Sequence, residues 1–313
     1  MDQGNAGSAP GTARRQVLKC MVWAGTGVLW TVSGGVPRSL RLGGEAFAAT
    51  GGDFNFVQIS DSHLGFNKDP NPDSSATLQQ ALAEIGRLPQ RPAMVLHTGD
   101  VTHLSKPEQF DTAAQILKTA NLDTHFVPGE HDVLVDDGKP FFERFGTAGS
   151  TGGWYSFDQG GVHFVGLVNV LNLRPGGLGY LGTPQIEWLE ADLKGRSAST
   201  PIVVFSHMPM WSVYPEWGWG TDDAAQALSY LKRFGSVTVL NGHIHQVLQK
   251  VEGNVAFHTA RSTSFPQATP GDPVGPGPWK VPADRLKSML GIREITLVPG
   301  KDSLALVEQP LGA

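Results

Sequence analysis

Phe54-Asn55-Phe56-Val57-Gln58-Ile59-Ser60-Asp61-Ser62-His63 is an apolar run that ends at once in a carboxylate and an imidazole. A run of this length, bounded by polar residues, reads as a buried strand. Further along, Ala93 to His97 leads to Thr98-Gly99-Asp100, and His125 to Pro128 leads to Gly129-Glu130-His131-Asp132. Pro201 to Phe205 leads to Ser206-His207, and Val237 to Leu240 leads to Asn241-Gly242-His243-Ile244-His245. Five strand ends therefore carry groups able to hold a cation.

Helical segments lie between and after these strands. Ser74 to Leu88 places Leu78, Ala81, Leu82 and Ile85 on one face. Pro107 to Ala120 carries Pro at its start, and Thr183 to Leu193 opens on Thr183-Pro184, an N-cap followed by Pro. Thr221 to Phe234 opens on Thr221-Asp222-Asp223, with Asp222 as its cap, and stops before Gly235. Strands alternating with helices predict a layered α/β domain. Gly153 to Asn169 breaks the rhythm and reads as a hairpin with Asp158 at its turn. Val247 to Phe257 reads as a second hairpin, turning at Glu252-Gly253-Asn254. The Pro- and Gly-rich stretch 266–282 predicts an irregular loop. A helix near Asp284 to Leu290 and strands Arg293 to Val298 and Ser303 to Val307 complete the chain.

Composition sets the outer bounds. The chain has 313 residues, 40% hydrophobic and 17% charged, ordinary values for one large domain or two small ones. Net charge is -5, with no basic run in the body, so a nucleic-acid surface is not indicated. Residues 1–49 differ: five basic side chains against two acidic ones give +3, leaving -8 for residues 50–313. Within this segment Arg14-Arg15 precedes an apolar run from Cys20 to Val32 and a small-x-small pattern at Ala46 to Ala49. That order reads as an export signal resembling the twin-arginine type, cut near Ala48, which predicts a periplasmic protein. Val17 stands where that pattern prefers Phe or Leu. The apolar stretch is short for a membrane span, so contact with a membrane is expected only through the signal. Cys20 is the sole cysteine and lies inside that segment, so the mature chain has no disulfide. The domain reading is therefore 1–49 signal and linker, 50–313 functional domain.

Open α/β sheets bind ligands at the carboxyl ends of their strands. Histidines and carboxylates gathered there suit Fe, Mn, Zn or a mixed pair. The ordered set Asp61-x-His63, Gly99-Asp100, Gly129-Glu130-His131-Asp132, Ser206-His207 and Gly242-His243-x-His245 resembles the calcineurin-like metallophosphoesterase superfamily. Within it the chain looks most like the cyclic-nucleotide phosphodiesterase subgroup. The fold this resemblance implies is a two-sheet β-sandwich flanked by helices. It further implies two metal ions: Asp61, His63 and His245 holding the first, Glu130, His207 and His243 the second, with Asp100 bridging. A hydroxide between the metals would attack phosphorus in line, His131 would protonate the leaving oxygen, and Asp132 would orient the His131 ring. The substrate implied is a phosphate ester, small molecule or lipid, and a diester ahead of a monoester.

The chain departs from the family block at Glu130, where the family has Asn. An anionic ligand should tighten cation binding and reduce the Lewis acidity left for phosphate. Two other readings stand beside the diesterase: a phosphomonoesterase or lipid pyrophosphate hydrolase, and a metal-binding partner protein with little catalysis. His97, His103, His125, His163 and His258 read as structural or surface histidines, with His103 the nearest to the expected metals. Trp211 to Gly220 holds three Trp and a Tyr. Such a segment could wall a base or form an apolar rim. Arg174, in a Gly-rich stretch, could approach a phosphate.

Overall fold

The computed structural model describes residues 54–147, 150, 152–298 and 304–312, together with the backbone of two strands nearer the amino terminus. Those strands, β1 (Val28–Ser33) and β2 (Val36–Arg41), pair antiparallel within a unit spanning Met1–Gly51. Arg14-Arg15 and the cleavage-like Ala46 to Ala49 lie outside the described residues.

The second unit, Gly52–Ala313, contains two sheets. The five-stranded sheet holds β3 (Phe54–Ile59), β4 (Val95–His97), β5 (Thr124–Phe126), β12 (Gly291–Leu297) and β13 (Ala305–Pro310), in the order β13-β12-β3-β4-β5. The six-stranded sheet holds β6 (Tyr155–Gln159), β7 (Val162–Gly166), β8 (Ile202–Phe205), β9 (Val237–Asn241), β10 (Gln249–Glu252) and β11 (Val255–Thr259), in the order β10-β11-β9-β8-β7-β6. β3, β4 and β5 run parallel, as do β7, β8 and β9. Their carboxyl ends carry all five blocks read from the sequence.

The sheets face one another through a shared apolar layer: Phe56, Leu96 and Ile295 from one, Phe164, Val203, Phe205 and Leu240 from the other. Strands buried on both faces cannot alternate polar and apolar residues, and so β3, β8 and β9 read as near-continuous apolar runs. Helices α1 (Ser74–Gly86), α2 (Pro107–Lys118), α3 (Lys139–Phe145) and α6 (Ala283–Met289) cover the outer face of the smaller sheet through Leu78, Ile85, Phe110, Phe141 and Leu286. Helices α4 (Thr183–Leu193) and α5 (Ala224–Leu231) cover the larger sheet through Ile186, Leu189, Ala227 and Leu231. The result is the expected sandwich of two sheets flanked by helices.

Several local expectations are corrected. Gly182, not Thr183, caps α4. Asp222 does not cap α5; the cap position is Asp223. The Asp223 carboxylate accepts instead from the amides of Leu181 and Gly182, at 2.9 and 2.8 Å, tying the start of α4 to α5. Asp158 lies within β6 rather than at the turn, which Gly160 and Gly161 make with positive φ. Its carboxylate accepts from His163 at 2.9 Å and from Arg196 at 2.9 Å. His163 is fully buried, and its other ring nitrogen contacts Asp192 at 2.7 Å.

Candidate metal centre

Three of the five loops leaving strand ends pass through left-handed backbone. Asp61, His63, Asp100, His243 and His245 all have positive φ, between 42° and 68°. Such conformations cost non-glycine residues on the order of 1–3 kcal/mol each and persist only where the surroundings hold them. Backbone bonds hold these: the Asp61 amide donates to Gly99 O at 3.0 Å, and the His63 amide to Asp100 O at 2.9 Å. Between the sheets, the His243 amide donates to Asp61 Oδ1 at 3.1 Å. The neighbouring glycines are required by close approach. A Cβ on Gly99, where φ is +94°, would fall 2.4 Å from His207 Nδ1, and one on Gly129 would fall 2.1 Å from Asp100 Oδ1.

These loops bring seven side chains to one place. Asp61, His63 and His245 offer ligand atoms within 4.8 Å of one another, and so do Glu130, His207 and His243. Asp61, Asp100 and His207 form a third such group. Asp100 lies between the first two sets, its Oδ2 3.4 Å from His63 Nε2 and 3.5 Å from His207 Nε2. Glu130 spans the second set, with Oε2 2.8 Å from His207 Nε2 and Oε1 3.0 Å from His243 Nδ1. Asp61 Oδ1 is 3.3 Å from His245 Nε2.

The outer ring nitrogens fix which atom points inward. His207 Nδ1 donates to Thr98 O at 2.7 Å, and His245 Nδ1 to Phe265 O at 2.6 Å. Both rings therefore present Nε2 to the centre. His243 is steadied through its backbone, whose carbonyl accepts from Gln267 at 2.7 Å. Thr98 and Phe265 act through main-chain atoms and Gln267 lies outside the motifs, so no residue pattern marks them.

Asp61 Oδ2, Glu130 Oε2, His207 Nε2 and both ring nitrogens of His243 are buried without a hydrogen-bond partner. Glu130 Oε2 faces His207 Nε2 and Glu130 Oε1 faces His243 Nδ1, so these atoms gather at one place. Buried polar atoms without partners are costly. A hard or borderline cation removes that cost, and the histidine-carboxylate donor set fits one.

The charges agree with this. Burial holds the His63 ring well below the usual histidine range, helped by His131 and His245 nearby, so one ring nitrogen keeps a free lone pair. Burial works against an ionised Glu130, but His243 and His207 outweigh it and hold the carboxyl well below its ordinary range. Burial also opposes an ionised His207, yet Asp100 and Glu130 outweigh it and raise this ring well above its ordinary range. A cation bound among these carboxylates must therefore displace a proton from His207.

His131 and Asp132 separate. The His131 amide donates to Asp100 Oδ1 at 2.9 Å, and its Nδ1 donates to His103 O at 2.7 Å, leaving Nε2 unengaged by that bond. Burial lowers its proton affinity, but Asp100 and Glu130 outweigh burial and raise it. Asp132 does not orient that ring. Its carboxylate accepts from the amides of Val101, Thr102 and Gly129, at 3.0, 2.8 and 3.0 Å, and from the Thr102 hydroxyl at 3.0 Å. It ties the Asp100 loop to the Glu130 loop. The backbone carbonyl of His103 takes the orienting place instead.

Two further expectations fall away from the centre. Arg174 stacks over the Tyr180 ring at 3.6 Å and lies 3.8 Å from Asp222, rather than reaching the ligand set. In the aromatic segment Trp219 is buried, Trp211 packs on Phe257 at 5.2 Å, and Trp217 meets Tyr214 and Trp219 edge-on. These rings mainly build the loop itself.

Comparison with known proteins places this geometry. The family model described as calcineurin-like phosphoesterase matches residues 54–247, the stretch that carries every block of the centre. A 3',5'-cyclic-nucleotide phosphodiesterase of Nostoc is 26% identical over 217 residues, covering 67% of this chain and 79% of that one. A glycerophosphodiester phosphodiesterase of Enterobacter lignolyticus is 23% identical over 182 residues, covering 56% and 64%. In fold, the chain matches a dimetal phosphatase from Danio rerio with TM-score 0.57 at 16% identity, over 82% of this chain and 98% of that one. The chain therefore belongs to the calcineurin-like phosphoesterase family and is a metallophosphoesterase, a hydrolase of phosphoric esters.

Proposed function

We propose that the protein hydrolyses a phosphodiester at a dinuclear metal centre formed by Asp61, His63, Asp100, Glu130, His207, His243 and His245. The observation that carries this reading is the pair of three-residue ligand sets on either side of Asp100. The diester preference rests on the two phosphodiesterase relatives. Fe, Mn and Zn all suit the donor set. Two bound cations supply positive charge for the phosphoryl oxygens and lower the pKa of water.

The protein's own groups divide the remaining work. Asp61, Asp100 and Glu130 provide fixed negative charge that anchors cations. Backbone carbonyls of Thr98 and Phe265 hold His207 and His245 in the Nε2-facing orientation. His131, fixed through Nδ1 by His103 O, holds its proton for the departing oxygen at Nε2. The test is turnover of a chromogenic diester and a monoester with and without added Mn or Fe. Metal-dependent diester cleavage that exceeds monoester cleavage is expected. The reverse preference would move the assignment to a phosphomonoesterase, and a loaded centre without turnover would make the chain a binding protein.

Glu130 gives a prediction of its own. Its carboxylate sits between His207 and His243, where the family block has a neutral Asn oxygen. Glu130→Asn is expected to weaken binding of one metal and, at saturating metal, to raise turnover up to about tenfold, equivalent to about 1.4 kcal/mol. Rate measured against metal concentration for both proteins checks this. Unchanged metal dependence together with unchanged saturated turnover would remove Glu130 from the ligand set.

We further propose export to the periplasm through a twin-arginine signal, on the sequence pattern around Arg14-Arg15. Replacing both arginines by lysine is expected to leave the chain uncleaved in the cytoplasm, read by fractionation and the mass of the mature protein. A processed double variant in the periplasm would contradict it.

A further inference from the structure

His103 is three residues past Asp100 and belongs to none of the blocks that carry the family pattern. Its side chain nevertheless meets two members of the centre. His103 Nδ1 lies 3.3 Å from His63 Nδ1. The His103 ring lies nearly parallel to His131, with centroids 5.0 Å apart and planes 14° apart. Phe66 closes the other side edge-on at 5.2 Å, and Phe66 in turn packs on Phe265, which stacks on His63 at 4.7 Å. His103 is thus held in place by rings on two sides while one nitrogen faces a ligand.

The facing atoms determine what that contact does. His63 directs Nε2 towards Asp100 and His245, at 3.4 and 3.3 Å. A ring that ligates through Nε2 in its neutral form carries its proton on Nδ1. That proton points at His103 Nδ1, and only a neutral His103 with a lone pair there can accept it. The two other ring-anchored histidines, His207 and His245, use backbone carbonyls for the same purpose. His63 is the exception in using a side chain.

We propose that His103 is a positioning residue: its Nδ1 accepts the Nδ1 proton of His63, fixing the tautomer and orientation with which His63 binds the metal it shares with Asp61 and His245. This rests on the metal-centre reading above. An outer partner of a metal-binding histidine is worth roughly 10- to 100-fold in metal affinity.

The experiment uses the full chain and Zn alone, with affinity read by competition against a chelator of known strength. Three proteins are compared. His103→Phe keeps the stacked ring and removes the acceptor. His103→Asn removes the ring and places an amide oxygen near where Nδ1 stood. The parent sets the reference, and circular dichroism melting confirms that each variant is folded. The expected result is a roughly 10- to 100-fold loss of affinity at one site in His103→Phe, largely restored in His103→Asn. In the Zn-loaded, 15N-histidine-labelled parent, the His63 Nδ1 proton is expected as a slowly exchanging resonance that disappears in His103→Phe. A folded His103→Phe that binds Zn as tightly as the parent overturns the inference, as does equal loss in both variants, which would assign the effect to packing. A parent that binds no Zn would instead refute the metal centre itself, so the two failures are distinguishable.

Discussion

Asp100→Asn is expected to lower diester turnover by roughly 10³-fold, which corresponds to about 4 kcal/mol of lost transition-state stabilisation. The substitution changes little else. Oδ1 remains an acceptor for the His131 amide, a bond of 2.9 Å that holds the two loops together. What is lost is the anionic Oδ2, which faces His63 Nε2 at 3.4 Å and His207 Nε2 at 3.5 Å. Among the described residues no other carboxylate oxygen comes within 3.5 Å of a histidine nitrogen in both ligand sets; Asp61 Oδ1 is 3.3 Å from His245 Nε2 but 3.9 Å from His207 Nε2. An amide there presents either a neutral oxygen or an NH₂ group that repels cations. Steady-state kinetics at increasing metal concentration checks the prediction. Full activity restored by modest extra metal would show that Asp100 is not shared between two ions.

His131→Gln is expected to show a loss that depends on the leaving group. For an alkoxide leaving group, which needs a proton as it departs, the loss should be roughly 10²–10⁴-fold, the usual range for general acid catalysis. For a nitrophenolate, which departs readily as an anion, the loss should be much smaller. The pH profile provides a second reading. A general acid must be protonated to act, so its contribution is lost as pH rises through its pKa. Asp100 and Glu130 outweigh burial and raise the His131 pKa above its ordinary value. The alkaline limb seen with a poor leaving group should vanish in His131→Gln. Equal losses for both leaving groups would make His131 a phosphate-binding group rather than an acid.

The reach of the sequence can be judged from particular residues. That Asp61, His63, Asp100, Glu130, His207, His243 and His245 gather in one place was legible because each lies in a loop just past a strand. Parallel strands within each sheet must then deliver their carboxyl ends to one edge. The layered α/β domain followed from the same pattern, the two-sheet sandwich from the family resemblance, and both hairpins from their glycine-containing turns. Asp132 was misread because the family resemblance assigned it to the His131 ring, whereas its four donors come from main chain and Thr102 across two loops. Main-chain partners such as Thr98 O and Phe265 O have no residue signature at all. Asp222 and Asp223 were equally good cap candidates by type; the tie from Asp223 to Leu181 and Gly182, 42 and 41 residues earlier, is visible only in three dimensions.

His163 shows the same limit in the core. It was read as structural, and it is, but no local pattern foretold that a fully buried ring on β7 would lie between Asp158 on β6 and Asp192 on α4. Burial opposes an ionised Asp192, but its bonds to His163 and Ser156 outweigh this and lower its pKa. A depressed carboxyl contributes stability that is present above its unfolded value and lost as pH falls through the folded one. This clamp therefore helps hold β6, β7 and α4 together at neutral pH and weakens in acid.

Metal content of the purified full chain, prepared without chelators and measured by elemental analysis, tests the central claim most directly. The account predicts about two transition-metal ions per chain, Fe, Mn or Zn, falling to about one or fewer in Asp100→Asn. Purified protein with no transition metal, and no uptake on reconstitution with any of the three, would contradict it.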